Sequence, residues 1–159
     1  MELHCTTTID EPYPGVAAVF AEGPDAWLPE VELAPDAWIA EIGIGDGEGR
    51  ISRRVLVSAS PAQPFAYGLL VPVEWRAAEH PGWYPTLAGG LRLEPEGPAG
   101  CRLRLDAQYR PPAGRLGAAI DRAVLHRVAE ASVAEFVDRV AARLCRGARF
   151  GGGPAPERP

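Results

Sequence analysis

The sequence contains no lysine, so every one of its 16 basic residues other than the histidines is an arginine. Glycine and proline are abundant, with 18 and 17 residues, and this combination indicates a high-GC bacterial genome. The formal net charge is −5, and no stretch of the chain forms a basic patch. Because a protein that binds nucleic acid usually presents clustered positive charge, nucleic acid is not expected as a partner.

Cysteine is scarce. Cys5, Cys101 and Cys145 are odd in number and far apart, without a C-x-x-C pair or a nearby histidine cluster, which predicts free thiols in a reducing compartment and no metal site. No apolar run reaches the length of a membrane span, and the first five residues lack the features of a signal peptide. We therefore expect a cytoplasmic protein without a membrane span.

Sequence motifs of catalysis are also missing. The chain has no G-x-S-x-G nucleophile elbow, H-E-x-x-H pair, P-loop or EF-hand loop. Gly43, Gly45, Gly47 and Gly49 are spaced as G-x-G-x-G-x-G between two predicted strands, which favours a hairpin connection over a dinucleotide site. No catalytic residue, cofactor or metal is predicted.

The chain does have the size and composition of one globular domain. It has 159 residues, 47% of them hydrophobic and 23% charged, an ordinary balance for a protein with one core. Residues 3–9 predict a first strand, and residues 16–20 and 27–28 predict a pair of short helices.

Alternating apolar residues then predict an antiparallel meander. Its strands are expected from Trp38 onward and at residues 50–58, 65–77, 91–93 and 101–109. For residues 65–77 a single long strand is predicted. The residues on one of its faces are Phe65, Tyr67, Leu69, Val71, Val73 and Trp75. Pro72 on its other face predicts an edge position or a bulge.

The last predicted element is a long helix over residues 116–146. Its apolar positions follow three-to-four spacing and predict a buried stripe: Leu116, Ile120, Val124, Val128, Ala131, Val137, Val140 and Leu144. Gly147 is expected to end the helix. The predicted domain therefore covers residues 1–147, and residues 148–159 are expected to be a disordered tail.

Several segments in this order resemble the SRPBCC proteins, the polyketide cyclase/dehydrase and lipid-transport relatives within the START-like (Bet v 1-like) superfamily. The resemblance depends on Trp27-Leu28-Pro29, on Trp75, on the segment from Tyr84 to Gly89, and on the segment from Tyr109 to Gly117 that leads into Asp121-Arg122. It implies an α+β helix-grip fold, in which a curved antiparallel sheet of six or seven strands and two short helices hold a long C-terminal helix over a cavity.

In that fold the inward aromatic residues are either ordinary core or the walls of a ligand pocket. The candidate ligand-binding residues are Trp38, Tyr67, Leu69, Val71, Trp75, Tyr84, Leu103, Leu105, Tyr109, Ile120, Val124 and Val128. The hydroxyl of Tyr67 and one arginine, Arg53 or Arg54, are candidate polar anchors. One residue of register error exchanges these two arginines, so the choice between them stays open.

Three functions fit these expectations. The first is binding or carriage of a small hydrophobic molecule such as a lipid or polyketide. The second is a polyketide cyclase or aromatase in which Tyr67 and an arginine transfer protons. The third is a protein-interaction module, which requires an exposed apolar patch. His126 is expected at the surface or in the contact of a possible homodimer.

Overall fold

The structure is a computed structural model that describes residues 1–29, 32–34, 37–44, 51–78, 86–110 and 122–151. For residues 32–34, 41–44, 51–53 and 122–125 it describes the backbone alone. The predicted glycine-rich hairpin at residues 46–49, the segment from Tyr84 to Pro85 and Ile120 lie outside the described residues.

Three helices and eight strands make up this part of the chain. The strands are β1 (Glu2–Ile9), β2 (Glu32–Ala34), β3 (Ala37–Ile44), β4 (Ile51–Ala59), β5 (Gln63–Phe65), β6 (Gly68–Ala77), β7 (Thr86–Pro95) and β8 (Cys101–Arg110). The helices are α1 (Tyr13–Glu22), α2 (Pro24–Trp27) and a C-terminal helix, here α3 (Arg122–Gly151).

The strands form one curved antiparallel sheet. Seven of them pair in the order β1-β8-β7-β6-β4-β3-β2, and β5 pairs separately with β6, in agreement with the six or seven strands expected. Helix α3 lies over one face of the sheet, where it contacts β1, β3 and β8, and it also packs against α1 and α2. The predicted α+β helix-grip architecture is confirmed.

Alternation along the strands separates the core face from the solvent face. In β8 the inward residues, Leu103 and Leu105 among them, are buried, whereas the arginines between them are exposed. The same alternation holds in β6 from Val71 to Ala77. Because successive strand residues point to opposite faces, this side of the sheet and the apolar face of α3 enclose the core.

The single long strand predicted for residues 65–77 is wrong. Residues 66 and 67 form a hairpin turn between β5 and β6, so Phe65 pairs with Gly68. Tyr67 therefore lies at the tip of a hairpin instead of on the inward face, and its side chain is 83% exposed. The alternation of residue types continues across the turn by coincidence, so periodicity alone does not detect it.

Pro72 lies where β6 changes partners. Its neighbour Val73 pairs with Ala59 of β4, whereas Leu70 pairs with Gln63 of β5. The Pro72 carbonyl accepts a hydrogen bond from the Ser60 amide at 3.0 Å. Because the amide position and carbonyl of a strand residue face the same neighbour, the missing N–H of Pro72 faces the gap between β4 and β5 and disrupts no ladder.

The prediction that the long helix ends at Gly147 is also wrong, because α3 continues to Gly151. A Cβ atom placed on Gly147 would lie 2.8 Å from Cγ1 of Val19 in α1. The glycine therefore permits close contact between α3 and α1 rather than ending the helix. The predicted boundary after residue 147 moves accordingly, since residues 148–151 belong to α3.

Candidate functional site

Three of the predicted site residues lie in one transverse row across the inward face of the sheet. Strand pairing sets Trp38 beside Val57, Val57 beside Trp75, Trp75 beside Leu87, and Leu87 beside Tyr109. We call these five residues the aromatic row. Residues distant in sequence thus form a continuous strip of apolar surface beneath α3.

Polar and aromatic contacts hold the two tryptophans of the row in place. The indole N–H of Trp38 donates a hydrogen bond to the Asp25 carboxylate of α2 at 2.7 Å. The ring of Trp75 meets that of Phe136 in α3 edge to face, with centroids 5.0 Å apart and planes at 68°. Such aromatic geometry is favourable beyond the area it buries, so the helix is fixed against the centre of the row.

Tyr109 is the last residue of the aromatic row and lies on β8, the strand that pairs with β1. Its amide donates to the Met1 carbonyl at 2.8 Å, and its carbonyl accepts from the N-terminal amine at 3.0 Å. Burial raises the pKa of the Tyr109 phenol, which keeps the hydroxyl protonated.

Solvent exposure varies along the aromatic row. Val57 and Leu87 are fully buried, and Trp75 and Tyr109 are buried with 8% and 7% exposure. Trp38 is only half-buried. The least covered position of the row is therefore Trp38, at its β3 end.

The row adjacent to the aromatic row is built largely from small residues. Ala59, Val73, Gly89, Ala107 and Leu3 pair in sequence across the sheet. A Cβ atom on Gly89 would lie 2.6 Å from the Cβ of Ala107, so β7 and β8 tolerate no side chain at this point. The side chains of this row are therefore smaller than those of the aromatic row, and Leu3, Val73 and Ala107 within it are buried.

The remaining predicted site residues divide into three groups. Leu69, Val71, Leu103 and Leu105 face inward at the far end of the sheet, where the last three belong to the buried core and Leu69 is partly buried against it. Tyr67 and Val128 are exposed, Val128 to 45%, so the prediction that they line the site is wrong. Tyr84 and Ile120 lie outside the described residues, and Val124 belongs to α3 with its side chain outside them.

Val128 lies on the solvent side because the predicted stripe advanced by four residues at each step from Leu116 to Val128. Four residues turn a helix by about 400°, so such a stripe rotates by roughly 40° per step. The face that α3 buries instead contains Ala129, Val133, Phe136, Val137, Val140 and Leu144. Phe136 was absent from the predicted stripe, although its spacing from Val133 and Val140 could have identified it.

The two candidate arginine anchors occupy alternate positions of β4. Arg54 is exposed, on the same side as Ser58, whereas Val55 and Val57 are buried. Arg53 shares the strand position of Val55 and Val57 by alternation, and its side chain lies outside the described residues. Arg54 is therefore excluded as an inward anchor.

A separate polar cluster lies on the opposite, solvent-facing side of the sheet. The Asp106 carboxylate accepts hydrogen bonds from Arg92 at 2.9 Å and Arg104 at 2.8 Å, and it lies 2.7 Å from Nδ1 of His4. Burial alone would raise the pKa of Asp106, but the hydrogen bonds from His4 and Arg104 and the arginine charges outweigh it and lower the pKa. This cluster stabilises the outer face and does not reach the aromatic row.

Across the described ranges, no group of three or more histidine, cysteine or acidic residues could hold a metal ion. No helix in the described part of the chain is both long and apolar enough to cross a membrane.

Solved structures with the same architecture cover almost the whole chain. A conserved protein from Geobacillus kaustophilus is 15% identical with a TM-score of 0.60, covering 92% of this chain and 96% of its own. The ZhuI aromatase/cyclase from Streptomyces sp. R1128 is 16% identical with a TM-score of 0.56, covering 97% and 99%. A START superfamily protein from Mycobacterium smegmatis is 13% identical with a TM-score of 0.53, covering 94% and 97%.

No protein-family model and no curated protein matches the sequence. At identities this low, structural likeness identifies the fold and leaves the activity to be argued from the site.

Proposed function

On the premise that the chain has the START-like (Bet v 1-like) helix-grip fold, we propose that it binds a small hydrophobic molecule between the aromatic row and α3. The observation that carries the proposal is the row itself. Trp38, Trp75 and Tyr109 are brought together from three strands on the inward face of the sheet, with Trp38 half-buried and the other two buried. Ligand sites typically combine apolar and aromatic walls with a few polar groups.

We propose that the protein carries or senses the bound molecule and does not catalyse its conversion. The cyclase alternative assigned proton transfer to Tyr67 together with an arginine, and Tyr67 lies at an exposed hairpin tip. That pair is therefore not available within the site. The three cysteines are free thiols, which supports placing the protein in the cytoplasm as part of the same proposal.

The interaction-module alternative has little support in the described residues. Their exposed large apolar side chains are Met1, Tyr67, Val128 and Phe150. Val128 and Phe150 are 22 residues apart on α3, which separates them by roughly 33 Å along the helix axis. Scattered residues of this kind do not form the contiguous patch that a protein interface requires.

Blocking the space under α3 tests the proposal. Ala129 is buried on the inward face of α3, and Ala131 is exposed on the same helix. We expect saturated fatty acids or hydroxylated anthraquinones to shift tryptophan emission and raise the melting temperature of the parent and of Ala131→Trp. Ala129→Trp should lose this binding, and Ala129→Leu serves as a milder substitution if the larger one unfolds the protein.

Two outcomes would contradict ligand binding in this space. The first is that the parent binds no member of either panel. The second is that folded Ala129→Trp or Ala129→Leu binds every member as tightly as Ala131→Trp does.

A further inference from the structure

Strand β1 forms a long open edge of the sheet. It pairs with β8 through eight consecutive residues without a bulge, and no other described strand pairs with it. At the opposite edge β2 has only three residues, and the short β5 contains Pro64. Folded proteins usually protect an edge strand by keeping it short, bending it with a bulge, or placing proline or lysine in it. None of these protections is present in β1.

The backbone groups of β1 that point away from β8 belong to its even-numbered residues. The Met1 amine donates to the Tyr109 carbonyl at 3.0 Å, and the Tyr109 amide donates to the Met1 carbonyl at 2.8 Å. Every second residue of an antiparallel ladder repeats such an exchange, so the odd-numbered residues of β1 bond to β8. The residues whose amide and carbonyl groups face the open edge are Glu2, His4, Thr6 and Thr8, all exposed.

The inward side of the open edge is only partly covered. Leu3 and Ile9, toward the two ends of β1, are buried, whereas Cys5 and Thr7 between them are half-buried. Helix α3 contacts the strand but leaves its middle accessible. Another strand can therefore reach the middle of the open edge.

We propose that β1 pairs with β1 of a second copy of this chain, antiparallel and around a twofold axis at Cys5. An edge strand that pairs with itself in this way gives a closed, symmetric dimer. Glu2 then lies opposite Thr8 of the second copy, and His4 lies opposite Thr6. With their symmetry mates these residues form about eight hydrogen bonds between the copies, because each pair exchanges two.

Strand length and charge select this register. Because outward-facing backbone groups alternate along β1, the two strands can slip only by two residues at a time. A slip in one direction leaves fewer residues paired. A slip in the other direction brings Glu2 opposite Asp10 of the second copy, and like charges directly opposite each other are destabilising.

The carboxylate of Asp138 in α3 opposes the pairing. Burial, followed by the nearby Asp138, raises the pKa of Cys5, so this carboxylate lies close to the proposed axis. The dimer brings the two Asp138 side chains toward each other. Asp138→Asn should therefore tighten the dimer by about twofold, the effect of removing like charges about 10 Å apart in water. A looser dimer in this variant would place the axis away from Cys5 and overturn the proposal.

Two substitutions at Thr6, compared by sedimentation velocity, test the interface. Thr6 uses neither its N–H nor its C=O to pair with β8, so Thr6→Pro blocks the open edge and leaves that ladder intact. The dissociation constant of the dimer should rise at least about tenfold in Thr6→Pro, since each copy loses one hydrogen bond. Thr6→Val keeps the N–H and is the matched control, with a change of less than about twofold.

Cross-linking tests the position of the axis. Two cysteines opposite each other at a pair without interstrand hydrogen bonds have Cα atoms about 4.5 Å apart, which is within the range of a disulfide bond. Diamide oxidises two thiols to a disulfide and is itself reduced to the hydrazine. It should give a covalent dimer in the parent and in Cys145→Ser, and none in Cys5→Ser. Cys145 is the matched control because it is half-buried like Cys5.

Several results would overturn the proposal. A parent that sediments as a monomer up to about 1 mM, where even weak interfaces associate, has no such dimer. Unchanged affinity in folded Thr6→Pro, or a covalent dimer that persists in Cys5→Ser, would place the interface elsewhere. If Thr6→Pro does not fold, hydrogen exchange of the parent dimer decides. The amides of His4 and Thr8 should exchange as slowly as those of Cys5 and Thr7, and fast exchange would show that the edge is open.

Discussion

The Trp75 ring of β6 meets the Phe136 ring of α3 edge to face, with 5.0 Å between their centroids. This contact joins the centre of the aromatic row to the helix above it. Trp75 keeps only 8% exposure, so the contact lies within the buried core. The aromatic pair therefore serves both as core packing and as one wall of the proposed ligand space.

Replacing Phe136 with leucine should destabilise the protein by about 1–3 kcal/mol, because the aromatic pair and some buried volume are lost. Denaturant titration followed by circular dichroism measures the free energy of unfolding. Phe150→Leu is the control, since Phe150 is exposed on the same helix and should change stability by less than about 0.5 kcal/mol. Equal effects of the two changes would show that Phe136 does not pack on the sheet.

The buried face of α3 can be tested by placing a charge on each side of the helix. Val137 is fully buried and Val128 is 45% exposed. Val137→Asp should cost about 3–5 kcal/mol because it buries an unpaired carboxylate, whereas Val128→Asp should cost less than about 0.5 kcal/mol. Thermal unfolding of both variants measures the difference, and a larger loss in Val128→Asp would mean that the helix is rotated.

The effects of substitutions at Gly147 and Val19 on stability should be coupled, because a Cβ added to Gly147 would lie 2.8 Å from a Val19 methyl group. Gly147→Ala gains about 1 kcal/mol of helix propensity, but overpacking against the stiff valine costs about 1–3 kcal/mol, so a net loss of stability is expected. In a Val19→Ala background the same change should stabilise the protein. The double-mutant cycle gives the coupling energy.

Gly151→Ala is the control for this cycle, because a Cβ there meets no atom within 4 Å. The effect of Gly151→Ala on stability should be the same whether residue 19 is valine or alanine. Additive effects of Gly147→Ala and Val19→Ala would contradict the close contact between α1 and α3.

Stability above pH 9 should depend on Cys101. Burial, followed by the nearby Cys145, Glu11 and Glu96, raises its pKa from 9.0 to about 11. Between these values the unfolded chain releases the thiol proton and the folded protein retains it. The contribution of Cys101 is therefore fully present below pH 9 and is lost as the pH rises toward 11.

Cys101→Ala removes this group, so its free energy of unfolding should decline less steeply than the parent's between pH 9 and 11. Burial also raises the pKa values of Cys5, Tyr13 and Tyr109, and these groups remain in both proteins. Because Cys101 also contributes to the raised pKa of Tyr13, the difference between the slopes from denaturant titration measures the titration of Cys101 together with its effect on Tyr13. Parallel slopes would indicate that the folded-state thiol titrates normally.

Local patterns predicted most of the strands. The alternation from Cys101 to Tyr109 gave the correct inward face of β8, because strand parity depends only on backbone geometry. The same reasoning failed at Tyr67, where apolar alternation continued through a two-residue turn. It also failed for Gly147, since a glycine that ends a helix and one that permits close packing look alike in a sequence.

Strand parity by itself determined the inward positions of Trp38 and Trp75, and the order of elements with the segments from Tyr84 to Gly89 and from Tyr109 to Gly117 carried the resemblance that implied the fold class. Only the tertiary structure decided that Trp38, Trp75 and Tyr109 form one row, that α3 presents Phe136 toward the sheet, and that Val128 faces solvent. The alternation of side chains between the two faces of a strand depends only on neighbouring residues. Register between strands and the rotation of a helix about its axis depend on contacts between residues far apart in the chain, and no local pattern specifies them.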